Sequence, residues 1–172
     1  MKTLAAILGL FVIVANSSVA NPVMIRLEVS YEGVEAKWFA DLSSDTKKIL
    51  NQNGDSVVLP TVVARPEEKA ALEIIREYMP SWAKSKEDGV PCGVVIEFNP
   101  KIVPDGIHIS GSSTLRRSTT PDDNEAAIRF EAQQLILDNL LENGQPKAIA
   151  MEGGAQMVVT ATLVEATGQS TK

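Results

Sequence analysis

The stretch "GVVIEFNPKIVPDGIHISGSSTL", residues 93 to 115, decides the fold. Large apolar residues occupy every second position on both sides of a turn signal, Pro104-Asp105-Gly106. These residues are Val94, Ile96, Phe98, Ile107 and Ile109. Because successive side chains of a strand point to opposite faces, this spacing predicts two strands with one buried face, joined by a tight turn. The stretch contains no catalytic motif.

The N-terminal segment "MKTLAAILGLFVIVANSSVA", residues 1 to 20, has one Lys, an aliphatic run and then the small residues Ser18 and Ala20. This order is typical of a secretory signal peptide that is cleaved before Asn21. The run of about a dozen apolar residues is shorter than the roughly 20 that a membrane-spanning helix needs. A retained anchor is the alternative. We expect residues 21–172 to form a single domain.

Composition limits the classes of partner and the means of stabilisation. Cys92 is the only cysteine, so an intramolecular disulfide cannot form, and we expect Cys92 to be buried and unreactive. Cleavage before Asn21 would remove Lys2 and reduce the 16 basic residues to 15, against 22 acidic ones. A protein with this charge is a poor ligand for nucleic acid or an anionic membrane surface.

Alternation also predicts strands at both ends of the domain. Residues 23 to 31 alternate apolar and polar, as in a half-buried strand, whereas residues 157 to 164 are apolar or β-branched on both faces, as in a central strand. Between them, "SSDTKKILNQNG", residues 43 to 54, predicts a short helix that ends at Asn53-Gly54. Residues 118 to 125 read as a loop.

Residues 67 to 79 and 125 to 141 leave helix and strand open. Their Ala, Glu and Leu content favours a helix, but their apolar residues also alternate as in strands. A change of phase between Ala132 and Leu135 indicates a β-bulge in the second segment. Asn143-Gly144 then predicts a hairpin turn.

The search for chemistry yields no catalytic, cofactor or metal site. His108 is the only histidine, which excludes a site with several His ligands, and it is expected to point outward from its strand. No orienting acid accompanies a pairing of Cys92 with His108, and no glycine-rich loop links a strand to a helix. We therefore predict that the protein is not an enzyme. Trp38, Trp82 and His108 are the candidate ligand contacts if the domain binds a glycan.

Three segments, in this order and spacing, resemble the C-terminal secretin-like domain of type II and type III secretion and type IV pilus proteins. They are "SVVLPTVVARPEEKAALEIIREYMP" (56–80), "GVVIEFNPKIVPDGIHIS" (93–110) and "MVVTATLVEATG" (157–168). The likeness extends over roughly residues 23 to 168 and implies strands in both open segments. The long amphipathic hairpins that build the pore wall in that family have no counterpart, since "STTPDDNEA", residues 118 to 126, is short and polar.

The resemblance, and a further likeness to small pilus-associated domains, imply a mainly β, immunoglobulin-like sandwich with one or two short helices. A mixed α+β fold is the alternative. The implied function is that of a non-enzymatic component of a type IV pilus or type II secretion assembly in the envelope of a Gram-negative bacterium. Its expected partners are other envelope subunits or a second copy, without nucleic acid, cofactor or membrane span in the mature protein. A surface glycan-binding module is the alternative.

An assembly protein of this class is expected to dock through an open sheet edge. The predicted strand at residues 23 to 31 and the strand interrupted by Pro60 are the candidates, because they are short and carry few basic side chains. Leu27, Val58 and Val62 are the residues predicted to lie at this interface.

The signal peptide gives a first testable prediction. The exported protein should begin at Asn21, because the small residues Ser18 and Ala20 stand at the positions that a signal peptidase reads. Intact-mass measurement of the exported protein checks this. A mass that includes residues 1 to 20 would favour the retained anchor.

Overall fold

The computed structural model describes residues 22–39, 42, 50–53, 56–78, 84–85, 89–119 and 129–166. The predicted signal peptide, Trp82 and most of the predicted loop at residues 118 to 125 lie outside these ranges. The described residues form ten strands in two antiparallel sheets, with two single 3-10 turns at Ala36–Phe39 and Glu152–Gly154.

The strands follow the sequence in numerical order. They are β1 (Val23–Glu32), β2 (Asn51–Asn53), β3 (Ser56–Val58), β4 (Val62–Ala64), β5 (Ala70–Tyr78), β6 (Val90–Val103), β7 (Gly106–Ser118), β8 (Phe130–Leu141), β9 (Pro146–Ala150) and β10 (Gln156–Glu165). Sheet A has the order β2-β3-β1-β10-β9, with β4 also paired to β1, and sheet B has the order β5-β6-β7-β8. This arrangement confirms the mainly β fold class, while the immunoglobulin-like type of sandwich stays a prediction.

The hairpin predicted from residues 93 to 115 forms the centre of sheet B. Strands β6 and β7 pair in unbroken register from Val103↔Gly106 to Gly93↔Arg116, across a two-residue loop of Pro104 and Asp105. The apolar residues of both strands point inward, and Ile96 and Ile107 are fully buried. Gly106 has φ 147°, a conformation that favours glycine over L-residues with a side chain. Local pattern and tertiary structure therefore agree in this hairpin.

Both segments that left helix and strand open contain strands. Strand β5 places Leu72 and Ile74 on the inner face of sheet B, and β8 places Leu137 and Leu141 there. Each strand pairs along its whole length with one neighbour, β5 with β6 and β8 with β7, so tertiary context overrides the helix propensity of Ala, Glu and Leu. The predicted bulge is wrong, because β8 pairs with β7 in continuous register.

Two further local predictions also need correction. Asn51–Asn53 is a strand paired to β3, so a helix does not extend to Asn53, and residues 43–49 of that prediction lie outside the described ranges. Asn143-Gly144 does form a turn, but it leads from β8 in sheet B to β9 in sheet A and does not close a hairpin. The Gly144 N–H donates to the Ala161 carbonyl at 2.8 Å, and the Asn143 side-chain oxygen accepts from the Leu163 N–H at 2.9 Å. These bonds to β10 fix the turn between the sheets.

The first strand occupies the middle of sheet A. Strand β10 pairs with β1 along its whole length, from Val23↔Glu165 to Glu32↔Gln156, and this confirms the central position predicted for the closing strand. The other edge of β1 is shared by β4 and β3, which pair with its first and second halves. Pro60 lies between these two short strands, where no ladder donor is required of it.

The inner faces of the two sheets share one hydrophobic core. Ile25, Leu27 and Met157 of sheet A and Val94 of sheet B are all fully buried in it. The Tyr31 hydroxyl and the Ser113 hydroxyl form a hydrogen bond across the core, between β1 and β7. Ser113 is the one polar residue recorded as buried in the described part of the sequence, and this bond satisfies it.

Burial of Tyr31 gives a prediction on alkaline stability. Desolvation raises the pKa of Tyr31 from 10.0 to about 12, although the hydrogen bond with Ser113 acts in the opposite direction. The unfolded state therefore loses this proton first, so the stabilisation is complete below pH 10.0 and is lost as the pH rises towards about 12. We expect the free energy of unfolding to fall by about 1.4 kcal/mol per pH unit in that window from this group alone.

Urea unfolding curves measured on either side of pH 10 check this expectation, with Tyr31→Phe as the matched variant. The variant should be less stable at neutral pH, because Ser113 loses its buried partner, yet show a shallower decline at high pH. Equal declines in the two proteins would contradict the assignment to Tyr31.

Candidate interaction surface

The three residues predicted to form an interface lie in different environments within sheet A. Leu27 is fully buried and β1 has partners on both edges, so the prediction of an open edge at Leu27 is wrong. Val62 is half-buried and packs against the core, although its strand β4 is an edge. Val58 lies on the outer face and is 41% exposed, but β3 is paired with both β1 and β2. Only β4 retains a free edge among these strands, and it is three residues long.

The predicted ligand contacts do not form a platform among the described residues. Trp38 is buried, with 7% of its surface exposed, and the Arg117 guanidinium lies 5.4 Å from the centre of its ring. Arg117 also donates from Nε and Nη2 to the same Glu131 carboxylate oxygen, at 2.9 and 2.6 Å. These contacts hold Trp38 and Arg117 as a cover over one end of the core. Trp82 lies outside the described ranges.

His108 lies on the outer face of sheet B, as the alternation of its strand predicts. Its side chain is 37% exposed, and Nε2 is 2.7 Å from the Asp138 carboxylate on the neighbouring strand β8. His108 and Arg117 are separated along β7 by about 30 Å of extended strand. Because Arg117 covers Trp38, His108 and Trp38 lie far apart and cannot contact one small ligand together.

The structure also separates Cys92 from His108. Cys92 is fully buried on the inner face of β6. His108 lies on the outer face of β7, where its cross-strand neighbour is Lys101, nine residues beyond Cys92 on β6. Across the described ranges, no group of three or more His, Cys, Asp and Glu side chains is placed to hold a metal ion. No helix among the described residues is long and apolar enough to cross a membrane.

The longest open edge of the described structure is β8. This 12-residue strand pairs with β7 over its full length, and sheet B ends at β8. Ile136 and Leu140 point away from the core with 67% and 44% of their surfaces exposed. Near one end, the Leu140 carbonyl accepts a hydrogen bond from Lys147 Nζ at 3.1 Å. About half of the backbone N–H and C=O groups of an edge strand point outward without a strand partner.

The other edges carry features that discourage pairing. Strand β9 is five residues long and contains Pro146 and Lys147, and strands β2 and β4 have three residues each. Strand β5 carries the charged residues Glu73, Arg76 and Glu77. Strand β8 contains Glu131 and Asp138 but no Lys or Arg. The apolar run from Leu135 to Leu137 within β8 is the sequence signal for this edge, since its middle residue must face outward.

Comparison with known proteins gives likeness in structure alone. No family model matches the sequence, and no curated protein is significantly similar to it. Among solved structures, the protein is similar to the type II secretin GspD of enteropathogenic Escherichia coli, with a TM-score of 0.49 and 9% identity, over 85% of this chain and 66% of that one.

Two other secretins show comparable likeness. For ExeD of Aeromonas hydrophila the TM-score is 0.49 with 9% identity, over 85% of this chain and 46% of that one. For the type IV competence pilus secretin PilQ of V. cholerae the TM-score is 0.46 with 13% identity, over 83% and 57%. The protein thus spans about half to two thirds of the length of these secretins. They belong to the class that the sequence resembles, and each TM-score is below 0.5.

The burial of Cys92 leads to a prediction on its reactivity. Since no part of this side chain is exposed, its thiol should react with a thiol reagent more than about a hundredfold more slowly in the folded protein than in denaturant. Absorbance-monitored labelling with and without urea measures the ratio. Rapid labelling of the folded protein, or a dimer that reductant dissolves, would show that Cys92 is accessible.

Proposed function

We propose that the protein is a non-enzymatic, exported component of a type IV pilus or type II secretion assembly, and that it binds other subunits through the free edge of β8. The observation that carries this proposal is the long edge on which Ile136 and Leu140 are exposed and whose own strand contains no Lys or Arg; Lys147 of β9 contacts it at the Leu140 carbonyl, near one end. The signal-peptide pattern and the ordered sequence resemblance support the cellular setting.

The chemistry of the edge favours addition of a strand. An incoming strand would satisfy the outward N–H and C=O groups of β8, while Ile136 and Leu140 would contact side chains on the same face of the new strand. Main-chain hydrogen bonds of this kind supply affinity with little dependence on sequence, and the two apolar side chains supply register. The partner is therefore a β-rich subunit of the envelope assembly or a second copy of this protein.

The fold leaves the edge available without disturbing the core. The inward residues of β8 include Leu137 and Leu141, each 2% exposed, so pairing on the outer edge requires no change in packing. The Asp138 carboxylate, on the outer face of β8, already forms a hydrogen bond with His108. The main free-energy cost of adding a strand is therefore the conformational entropy that the partner segment loses on binding. Because β8 itself needs no rearrangement, the barrier to assembly is low.

Within the described ranges, which exclude Trp82, no specific observation favours glycan binding, the alternative function. A sugar platform requires exposed aromatic faces, and the Trp38 ring is covered by Arg117. We therefore place the function in contacts between subunits.

The β8 edge can be tested with charge substitutions. Ile136→Lys and Leu140→Lys should weaken self-association or partner binding at least about tenfold, because a Lys at either position opposes the incoming apolar residue. Both positions are substantially exposed, so the melting temperature should change little. Sedimentation equilibrium and thermal unfolding measure the two effects.

Val58→Lys is the matched control, since Val58 is similarly exposed but lies on sheet A. A photo-crosslinking residue in place of Ile136 should capture a second copy or a secretion or pilus subunit in cells, and the same residue in place of Val58 should not. A protein that stays monomeric at high concentration and yields no such adduct from the Ile136 position would contradict the proposal.

A further inference from the structure

The backbone groups that β8 directs to its open edge can be assigned to particular residues. The β7–β8 ladder ends at Ser118↔Phe130, and one position further the Thr119 N–H donates to the Arg129 carbonyl at 2.8 Å. In an antiparallel ladder, pairs that exchange hydrogen bonds alternate with pairs that do not. The odd-numbered residues of β8 therefore bond to β7, and the even-numbered residues direct their N–H and C=O groups to the open edge.

The contact of Lys147 agrees with this assignment. Its Nζ reaches the carbonyl oxygen of Leu140, an even-numbered residue. The side chains of the even-numbered residues are exposed on the outer face from position 132 to position 140, and the same residues hold the free backbone groups. They are Ala132, Gln134, Ile136, Asp138 and Leu140.

The sequence of this segment is nearly symmetrical about its centre. In "AQQLILDNL", residues 132 to 140, each step outward from Ile136 meets the same class of residue in both directions. The matched pairs are Leu135 with Leu137, Gln134 with Asp138, Gln133 with Asn139, and Ala132 with Leu140. An antiparallel neighbour runs in the reverse direction, so this strand is complementary to a second copy of itself.

One register uses this symmetry fully. When Ile136 faces Ile136 of the second copy, apolar residues face apolar ones and polar residues face polar ones throughout residues 132 to 140. Moving the two-fold axis to Leu135 places Ile136 opposite Gln134, and moving it to Leu137 places Ile136 opposite Asp138. An axis at Asp138 brings two like charges face to face, which destabilises a cross-strand pair.

We propose that the partner at the β8 edge is a second copy of this protein, bound by antiparallel pairing of the two β8 strands about Ile136. Pairing joins two four-stranded sheets into one sheet of about eight strands, which is within the usual size range. This inference rests on the proposed function, because both use the β8 edge. It specifies the partner and the register, which the proposed function leaves open.

The side chains on the outer face complement one another in this register. Ile136 packs on Ile136 of the second copy, and the Gln134 amide donates to the Asp138 carboxylate of the second copy. Asp138 keeps its hydrogen bond with His108, since a carboxylate accepts several donors. The two Asp138 carboxylates lie about 14 Å apart, so salt screens their repulsion.

The inner face extends the hydrophobic core from one copy to the other. Leu135 is half-buried at the margin of the core, and Leu137 of the second copy stands opposite it. At each end of the new ladder, Lys147 must release the Leu140 carbonyl before that oxygen can accept a hydrogen bond from Ala132 of the second copy. The pairs nearer the centre form without this movement.

Single cysteines on β8 test the register in the exported protein. The Cα atoms of a directly opposed pair are about 5.5 Å apart, which a disulfide can span, whereas residues 134 and 138 lie about 14 Å from their own copies. Under mild oxidation, Ile136→Cys should form a disulfide dimer. Gln134→Cys and Asp138→Cys should each stay monomeric on a non-reducing gel, but their mixture should give a mixed dimer.

Two controls make this result specific. The wild type contains only the buried Cys92 and should give no disulfide dimer. Val58→Cys places an equally exposed thiol on sheet A and should also give none.

Charge changes at position 134 test the same register without a new covalent bond. Gln134→Lys should tighten the dimer, and Gln134→Glu should loosen it, by about threefold or more in sedimentation equilibrium. The reason is that residue 134 faces Asp138 of the second copy, and symmetry places this pair in the interface twice.

The outcomes separate this inference from the proposed function. A protein that is monomeric at about 1 mM, but whose Ile136 position cross-links to a pilus or secretion subunit in cells, would overturn the second copy and support the proposed function. A monomer without any adduct would overturn both. Homodisulfides of Gln134→Cys or Asp138→Cys, or the opposite order of the two charge variants, would overturn the register about Ile136.

Discussion

The contact between the inner faces of the two sheets is the constraint on which the rest of the structure depends. Neither sheet could stand alone, since each has one face made almost wholly of large apolar side chains. The Tyr31–Ser113 hydrogen bond crosses this contact and restricts how the sheets can slide, because a displaced Tyr31 would leave two buried hydroxyl groups without a partner. The core thus fixes both the pairing and the relative position of the sheets.

Because the inner faces of both sheets are buried in the core, a partner can contact only the outer faces and the edges of the sheets. The described surface offers outer faces and sheet edges, and on sheet B these differ in kind. The β8 edge presents backbone groups with two apolar side chains, whereas the outer face of the sheet carries polar groups such as the His108–Asp138 pair. Pairing with backbone groups makes little demand on the sequence of a partner.

The alternation of apolar residues correctly predicts strands that pair with their neighbours in the sequence. The wrong predictions concern positions that depend on pairing between distant strands. The β6–β7 hairpin and the outward position of His108 both follow from alternation around the Pro104-Asp105-Gly106 turn. The strands β5 and β8 follow only from the family resemblance, because the propensities of their residues favour a helix. The early position of β1 in the sequence suggests that Leu27 lies at a sheet edge. In the structure, β1 instead pairs with β10, the last strand in the sequence.

The pairing of β1 with β10 also constrains when the protein can fold. The nearest residues of this ladder, Glu32 and Gln156, are 124 positions apart in the sequence. Sheet A therefore cannot close until the final strand has left the ribosome, and the entropy of bringing together such distant segments slows the step further. Sheet B differs in this respect, because its four strands β5 to β8 pair in sequence order and can form before sheet A closes.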